Sequence, residues 1–444
     1  MKDFCGRFQK SILFLFELII YLGNYAVFFL LLGIDNKQLL VLSRTSVVIT
    51  FTWIIISALL TVIYGKYDVG VRKSRPIVIS LSLTAVMTDV AAYLLLNIMN
   101  RNEDNNQTFK IEFVGYFLLI LAIHIVLITL MTYAGNGFYF WVSDPEAVLL
   151  ITSSDASVAK LKTVIGKYHK RYRIERIVDY RDADLKERIR SADSVFLYDL
   201  PVSERTEIVN YCYKHLINVY FNPEVADIVE QNSRQAMFDD VTFLAAEFKG
   251  MTFEQRICKR FMDILVSVLA LVIASPVFLV SAIWIKKYDG GKVFFRQKRA
   301  TIHGKVFEIY KFRTMKENVE NHSATKDDDR ITPVGKILRK YRIDELPQFI
   351  NILKGEMSVV GPRPEMLENV NEYTKEMPEF KYRLRMKAGL TGYAQIMGKY
   401  NTSSRDKLML DLMYIENFSL LKDIQLIFQT VTVLFQAEDS TEAF

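Results

Sequence analysis

Four long apolar runs fill the first third of the chain, at Ile12–Leu32, Val41–Tyr64, Ile77–Ile98 and Phe113–Tyr133. Each reaches the ~20 residues that an α-helix needs to cross a hydrocarbon core. In lipid every backbone polar group must be satisfied within the segment, so helices are the expected form. The predicted unit, residues 1–142, is a four-helix transmembrane bundle. Lys2, Arg7 and Lys10 precede the first run, and Lys66, Arg72, Lys73 and Arg75 separate the second from the third. The loop Asn97–Glu112 carries charges of both signs. The basic excess places the N-terminus and the second loop on the cytoplasmic side, and an even number of spans returns the chain there. No signal-peptide cleavage site follows the first run, which is expected to be retained. Glu17, Asp89 and His124 lie in or near spans, where helix–helix packing is the plainer expectation.

The remainder is long enough for about two further domains. Of the 444 residues, 51% are hydrophobic and 24% charged, and the formal net charge is +6. That mild excess suits an anionic membrane surface or phosphorylated substrates, and is too diffuse to argue for nucleic acid. Cys5, Cys212 and Cys258 form no ligand spacing and no disulfide framework, which fits a reducing compartment.

Residues 143–250 read as a Rossmann-like α/β domain. Strands are predicted at Ala147–Thr152, Tyr172–Val178, Ser194–Tyr198 and Val219–Phe221, and helices at Val158–Tyr168, Leu185–Arg190 and Val202–His215. Such alternation implies a parallel sheet with covering helices. The first strand–helix turn, Thr152–Ser157, contains no glycine. Close approach of backbone to a pyrophosphate is therefore not expected, and a structural, regulatory or dimerising module is.

Residues 251–444 open with Ile264–Ile285, an uncharged stretch flanked by Arg256, Lys259 and Arg260 on one side and Lys286 and Lys287 on the other. Both flanks favour the cytoplasmic face, and Ser275-Pro276 interrupts the middle. A helix–break–helix over 256–287 that enters and leaves by one face satisfies both facts; a proline-kinked full span is the competing form. After it, FEIYKFRTM (Phe307–Met315) alternates so that Lys311 and Arg313 share a strand face. The loop Asp327–Thr332 is polar, with acids that are usually solvated. Leu420–Phe435 is helical in pattern and apolar enough to lie on a membrane.

The densest chemistry runs from Arg339 to Glu365, RKYRIDELPQFINILKGEMSVVGPRPE. Asp344 and Glu345 are adjacent carboxylates preceded by Arg339, Lys340 and Arg342, and Gly361-Pro362-Arg363-Pro364 is a rigid turn that fixes one arginine. A carboxylate serves as nucleophile or Mg²⁺ ligand, and arginines clamp phosphate oxygens. Asp344 also reads as a helix N-cap with Glu345 as a first-turn acid, a role compatible with catalysis.

Together these residues resemble the polyprenyl-phosphate hexose-1-phosphate transferases, the bacterial sugar transferase family. The resemblance covers roughly Gln255 to Val433. It is carried by Lys259-Arg260 with Asp263, the Ser275-Pro276 hairpin, FRQKR, KFRTM, Asp329-Arg330-Ile331-Thr332, LRKYRIDELPQ, GEMSVVGPRPE and GLTGYAQ, in that order. With the four spans and the Rossmann-like module, the chain is similar to the large capsule- and exopolysaccharide-type members. The resemblance implies an α/β catalytic domain with a re-entrant membrane helix hairpin marked by Lys259, Arg260, Ser275 and Pro276. It implies transfer of a sugar-1-phosphate from a UDP-sugar to undecaprenyl phosphate, with release of UMP, at the bacterial inner membrane. Asp344 is then the nucleophile, Glu345 the Mg²⁺ ligand, and Lys311, Arg313, Arg339 and Arg363 the phosphate-binding cations. A homodimer is expected. A nucleotide-binding membrane scaffold and a glycosyltransferase that moves sugar without phosphate are the alternatives. The chain departs from the family pattern at Arg299-Ala300-Thr301, where a glycine is common two places after the arginine.

Overall fold

The computed structural model describes residues 2–99, 111–248, 250–316, 328–398 and 402–435. Asp327 and most of the loop between the third and fourth apolar runs lie outside them. Contacts divide the chain into two compact units that meet at Asn222/Pro223.

The first unit begins with a short helix α1 (Lys2–Arg7), then four long ones: α2 (Gln9–Gly33), α3 (Arg44–Tyr64), α4 (Ser74–Met99) and α5 (Val114–Val142). A reciprocal Ser43/Ser46 capping box starts α3. Phe28, Phe29 and Leu32 of α2 pack with Ile49 and Trp53 of α3, Ala92 and Leu96 of α4 and Ile120 of α5. The outward faces remain apolar and exposed, as at Leu22, Phe51, Ile54, Leu94 and Leu118. Asp89 is fully buried and takes Trp53 Nε1 at 3.1 Å and His124 Nδ1 at 2.7 Å, so it ties three helices together.

The same unit continues as β1 (Glu146–Thr152), α6 (Asp155–Ile165), β2 (Tyr172–Asp179), α7 (Leu185–Arg190), β3 (Ser194–Tyr198), α8 (Val202–His215) and β4 (Asn218–Phe221). The four strands form one parallel sheet in the order β2-β1-β3-β4. Its central strand, β1, is an almost continuous apolar run, as burial on both faces demands. The glycine-free turn after β1 is closed by side chains. Ser154 caps α6 by accepting from Ser157 N, Ser153 Oγ donates to the Asp199 carbonyl at 2.6 Å, and Ser157 Oγ meets Asp199 Oδ2 at 3.2 Å.

The second unit starts earlier than residue 251. The helix α9 (Val225–Gln231) buries Ile228 beside Leu408, Met409 and Leu412 of α15 (Ser404–Glu416). The hairpin β5–β6 (Arg234–Phe238 and Val241–Ala245) follows it, with Met237, Phe238, Phe243 and Leu244 exposed.

Next comes α10, Phe253–Asp289, helical throughout. The helix runs on through Ser275-Pro276, and the local chemistry accommodates the proline. Pro276 removes the donor that would reach the Val272 carbonyl, and Ser275 Oγ donates to that carbonyl instead, at 2.8 Å. Both limbs of α10 pack on the second unit. Near its start Val266, Ala270 and Leu271 contact the core of Ile352, Val360 and Tyr414; near its end Ile285 and Phe278 meet Phe312, Val334 and Leu338. Leu265, Leu269, Val272, Ile273, Leu279 and Val280 between them are exposed.

The antiparallel pair β7 (Phe294–Ala300) and β8 (Val306–Phe312) follows, then α11 (Pro333–Lys340), α12 (Gln348–Lys354), β9 (Ser358–Val360), α13 (Leu367–Glu376), β10 (Gly389–Thr391), α14 (Tyr393–Ile396), α15 and α16 (Leu420–Phe435). β9 and β10 pair in parallel. At the Ala300-Thr301 departure the backbone is extended, φ −132°, so any residue fits; the left-handed positions fall on His303 and Gly304 instead. Thr301 Oγ1 donates to the Glu356 carbonyl at 3.0 Å and accepts from Ala388 N at 3.1 Å.

Candidate active site

Asp344 and Glu345 lie in a 3-10 turn, Ile343–Glu345, between α11 and α12. Arg342, at φ 53°, adopts the left-handed conformation that turns the chain into it. Non-glycine residues pay for that conformation and are held there by their surroundings. The N-cap of α12 is Pro347, with no side-chain cap, so Asp344 does not serve as the cap that its sequence position allowed. Its carboxylate is free for other work although the residue is only 9% exposed.

Lys311, Arg339 and Arg363 face this pair, and the charge of Arg342 also favours the ionised Glu345. Lys311, on β8, donates to Glu345 Oε1 at 2.8 Å, and Arg363 Nη2 lies 3.7 Å from the same oxygen. Arg339, in the last turn of α11, donates through Nε to Thr314 Oγ1 at 2.9 Å and is close enough to Asp344 to favour its ionised form. The two acids are driven apart. Burial pushes Asp344 up and the Glu345 charge adds to it, against Lys311 and Arg339. Burial also pushes Glu345 up, yet Lys311 and Arg363 outweigh it and hold Glu345 below the usual carboxylate range.

Arg363 reaches the site from the turn Gly361–Pro364. Gly361 has no room for a Cβ, which would fall 2.3 Å from the Lys387 carbonyl oxygen. The turn is anchored upstream by α10. Lys259, 4% exposed, donates to the Val360 carbonyl at 2.9 Å and pairs with Asp423 at 2.5 Å, while Asp263 accepts from Ser358 Oγ and Val359 N. Arg260 donates to the carbonyls of Ile352 and Leu353, closing the end of α12. Lys259 and Arg260 therefore anchor the start of α10 to β9 and the end of α12.

Arg313 has partners of its own. Its backbone N–H continues the β7–β8 ladder one pair beyond Phe312, donating to the Val293 carbonyl at 2.9 Å. Its guanidinium, 8% exposed, forms a two-pronged pair with Asp289 at the end of α10 and donates to the Lys292 carbonyl at 2.6 Å.

Comparison with known proteins places these features in a family. Residues 254–437 match the bacterial sugar transferase family. The galactosyl transferase CpsE of Streptococcus agalactiae is 31% identical over 360 residues, spanning 72% of this chain and 79% of that protein. The chain belongs to the bacterial sugar transferase family. A UDP-N-acetylgalactosamine-undecaprenyl-phosphate N-acetylgalactosaminephosphotransferase of Aeromonas hydrophila is 44% identical over 182 residues, 40% of this chain and 43% of that protein. A UDP-glucose:undecaprenyl-phosphate glucose-1-phosphate transferase of Klebsiella pneumoniae is 43% identical, over 39% of each chain. The matches to these two relatives thus span less than half of their lengths.

This family member carries a second polar cluster that sequence reasoning missed. Arg383, 2% exposed, pairs with Asp411 at 2.6 Å and donates to the Arg363 carbonyl at 2.8 Å. Lys407 meets Glu365 at 3.2 Å, and Arg299 Nη1 donates to the Pro364 carbonyl at 3.2 Å. Consecutive carbonyls of the arginine-bearing turn are held by two guanidiniums. Only the basic density of KYRLRMK (381–387) hinted at this, and it named no partner.

Proposed function

We propose that the protein transfers a sugar-1-phosphate from a UDP-sugar to undecaprenyl phosphate, releasing UMP, as the first membrane step of capsule, exopolysaccharide or O-antigen synthesis. The observation that carries this is the adjacent pair Asp344–Glu345, with raised and lowered proton affinity, among Lys311, Arg339 and Arg363. An Asp344 carboxylate oxygen attacks the phosphorus that bears the sugar. The bond from that phosphorus to the bridging oxygen breaks, and UMP leaves with the electron pair. Arg363 and Arg339 supply charge to the phosphoryl oxygens while Lys311 holds Glu345 in place. A phosphate oxygen of the lipid then attacks the same phosphorus and expels Asp344 as carboxylate, giving the lipid-linked sugar diphosphate. Splitting the transfer in two predicts ping-pong kinetics.

Mg²⁺ commonly takes one or two carboxylates, with substrate phosphates and water completing its shell. Glu345, kept ionised beside Asp344, fits that modest protein share, and no larger set of metal-binding side chains gathers among the described residues. Bound there, Mg²⁺ offsets the charge that repels a carboxylate from a diphosphate.

Among the described residues, five helices are long and apolar enough to cross a membrane. We assign α2–α5 as spans and α10 as a bent, re-entrant helix, with the catalytic unit on the cytoplasmic face of the inner membrane. What supports the bend is that Lys259 and Ile285 both bind the same unit, although a straight helix would part them by roughly 40 Å. Cysteine labelling after Lys287 in sealed inverted vesicles, and not in right-side-out ones, is the expected result. The exposed apolar hairpin β5–β6 supports a homodimer, readable by light scattering of the purified protein. The middle domain is assigned no nicotinamide nucleotide: Asp199 already brings a carboxylate to the first turn of α6, where a dinucleotide fold seats phosphate.

The deciding experiment is intact-protein mass spectrometry of enzyme with Mg²⁺ and a panel of UDP-sugars, without lipid. A sugar-phosphate adduct mapped to Asp344 is expected. UMP release only when lipid is present, with no adduct, sinks the covalent route; release of UDP sinks the reaction class.

A further inference from the structure

The segment Lys311–Thr314 assigns a different task to each successive residue. Lys311 holds Glu345. Phe312 is buried against Phe278 of α10, with ring centroids 5.0 Å apart, and stacks on Phe294 at 5.5 Å. Arg313 closes the end of α10. Its Nη1 reaches Asp289 Oδ2 at 2.6 Å, its Nη2 pairs with Asp289 Oδ1, its Nε donates to the Lys292 carbonyl, and its backbone N–H donates to the Val293 carbonyl at 2.9 Å. Thr314 receives Arg339 and accepts Thr332 N–H at its carbonyl, 3.0 Å away. The strand end that carries one active-site cation and steers another is thus fastened to the last turn of the apolar helix.

We propose that Arg313 is a positioning residue, paired with Asp289, that fixes Lys311 against Glu345 and so makes the C-terminal end of α10 part of the active-site frame. The proposal rests on the phosphosugar-transfer reading for its catalytic consequence, and on geometry alone for the pairing. A guanidinium with a two-pronged carboxylate partner and a carbonyl acceptor has its fork committed, and cannot serve a phosphate without giving that up. The backbone between Arg313 and Lys311 is a single residue whose side chain is packed on α10, so a shift at one is transmitted to the other. Lys311 donates to Glu345 Oε1 at 2.8 Å, so its displacement releases the acid next to Asp344. Small misplacements of catalytic groups cost rate far more than binding.

The test compares Asp289→Asn, Arg313→Gln and the double variant in the full-length protein. A positioning pair predicts that each single variant loses a similar factor in kcat, roughly 10- to 100-fold, with KM for the UDP-sugar little changed. The double variant should be no worse than the poorer single, because the two changes remove one interaction. A direct phosphate contact predicts the opposite: Arg313→Gln raises KM, and Asp289→Asn, which frees the guanidinium, leaves turnover intact. That outcome overturns the proposal.

A second measurement is independent of activity. Acetylation of Lys311 by acetic anhydride, read by mass spectrometry against the exposed Lys381, should rise several-fold in Arg313→Gln. Arg313→Lys, which keeps the charge but loses the fork, should show an intermediate rise. Unchanged Lys311 reactivity in both variants also overturns the proposal. A wild-type protein that releases no UMP from any UDP-sugar defeats the phosphosugar reading instead, and the acetylation result still decides the pairing.

Discussion

Two acid–cation clusters adjoin the Gly361–Glu365 turn, and they differ in how far their arginines reach solvent. Arg383 is 2% exposed, pairs with Asp411 at 2.6 Å and donates to the Arg363 carbonyl at 2.8 Å, while Lys407 meets Glu365 at 3.2 Å. Around Asp344, Lys311 is committed to Glu345, whereas Arg363 stands 3.7 Å from the same carboxylate with its side chain 41% exposed. Proton affinity does not separate the two clusters, because burial raises Asp411 as it raises Asp344. Access does. A buried arginine on a backbone carbonyl holds the turn; a half-exposed arginine beside a buried carboxylate is open to a charge that arrives from outside.

The largest effect that sharpens this contrast is expected from Asp344→Asn. It keeps the shape and removes the nucleophile, so turnover should fall by at least about 10³-fold with the melting temperature nearly unchanged. Substantial residual UMP release would remove Asp344 from the nucleophile's role.

Arg383→Ala should do the reverse. Breaking a buried pair leaves Asp411 uncompensated, a loss of about 3–5 kcal/mol of stability in denaturant titrations. If Arg383→Ala melts like the wild type, the Arg383–Asp411 pair does not hold the turn.

Arg363→Lys is the intermediate case. The turn should stay in place, because the contacts to its carbonyls are unaffected, but the planar fork is lost. A decrease of roughly 10- to 100-fold in kcat/KM is expected, with little change in stability.

The smallest effect is on pH. The ionised form of Asp344 is the nucleophile, so activity is fully present above its raised pKa and is lost as pH falls through it. Burial puts that loss at milder acid than for a free aspartate, while Glu345 stays ionised across the same range. A rate profile that stays flat until strongly acidic pH contradicts the displacement of Asp344.

Local pattern made much of this fold legible. The sheet strands were bounded by apolar runs, and the turn at Gly361–Pro364 was marked by its own glycine and prolines. The gathering of Lys311, Arg339 and Arg363 about Asp344–Glu345 follows from the motifs' order. What stayed hidden depends on distance. Period-2 alternation aligned Arg313 with Lys311 but could not name Asp289, 24 residues away, as its partner. Arg383 and Asp411 are 28 residues apart and each reads locally as a solvated charge; only the tertiary fold makes them a pair. Proline chemistry predicted a break at Pro276, and the neighbouring serine hydroxyl satisfies the carbonyl that a break would have abandoned.

That serine has a consequence for how a proline is carried inside a continuous helix. A proline elsewhere recruits a water or a neighbouring helix to quiet the carbonyl it strands. Here the donor comes from the adjacent residue along the chain, Ser275 Oγ on the Val272 carbonyl at 2.8 Å. The stranded acceptor is answered within two consecutive letters of sequence, and no second element has to be brought to it. Ser275→Ala, which keeps the proline and deletes only the hydroxyl, would leave that carbonyl to solvent or to a neighbour.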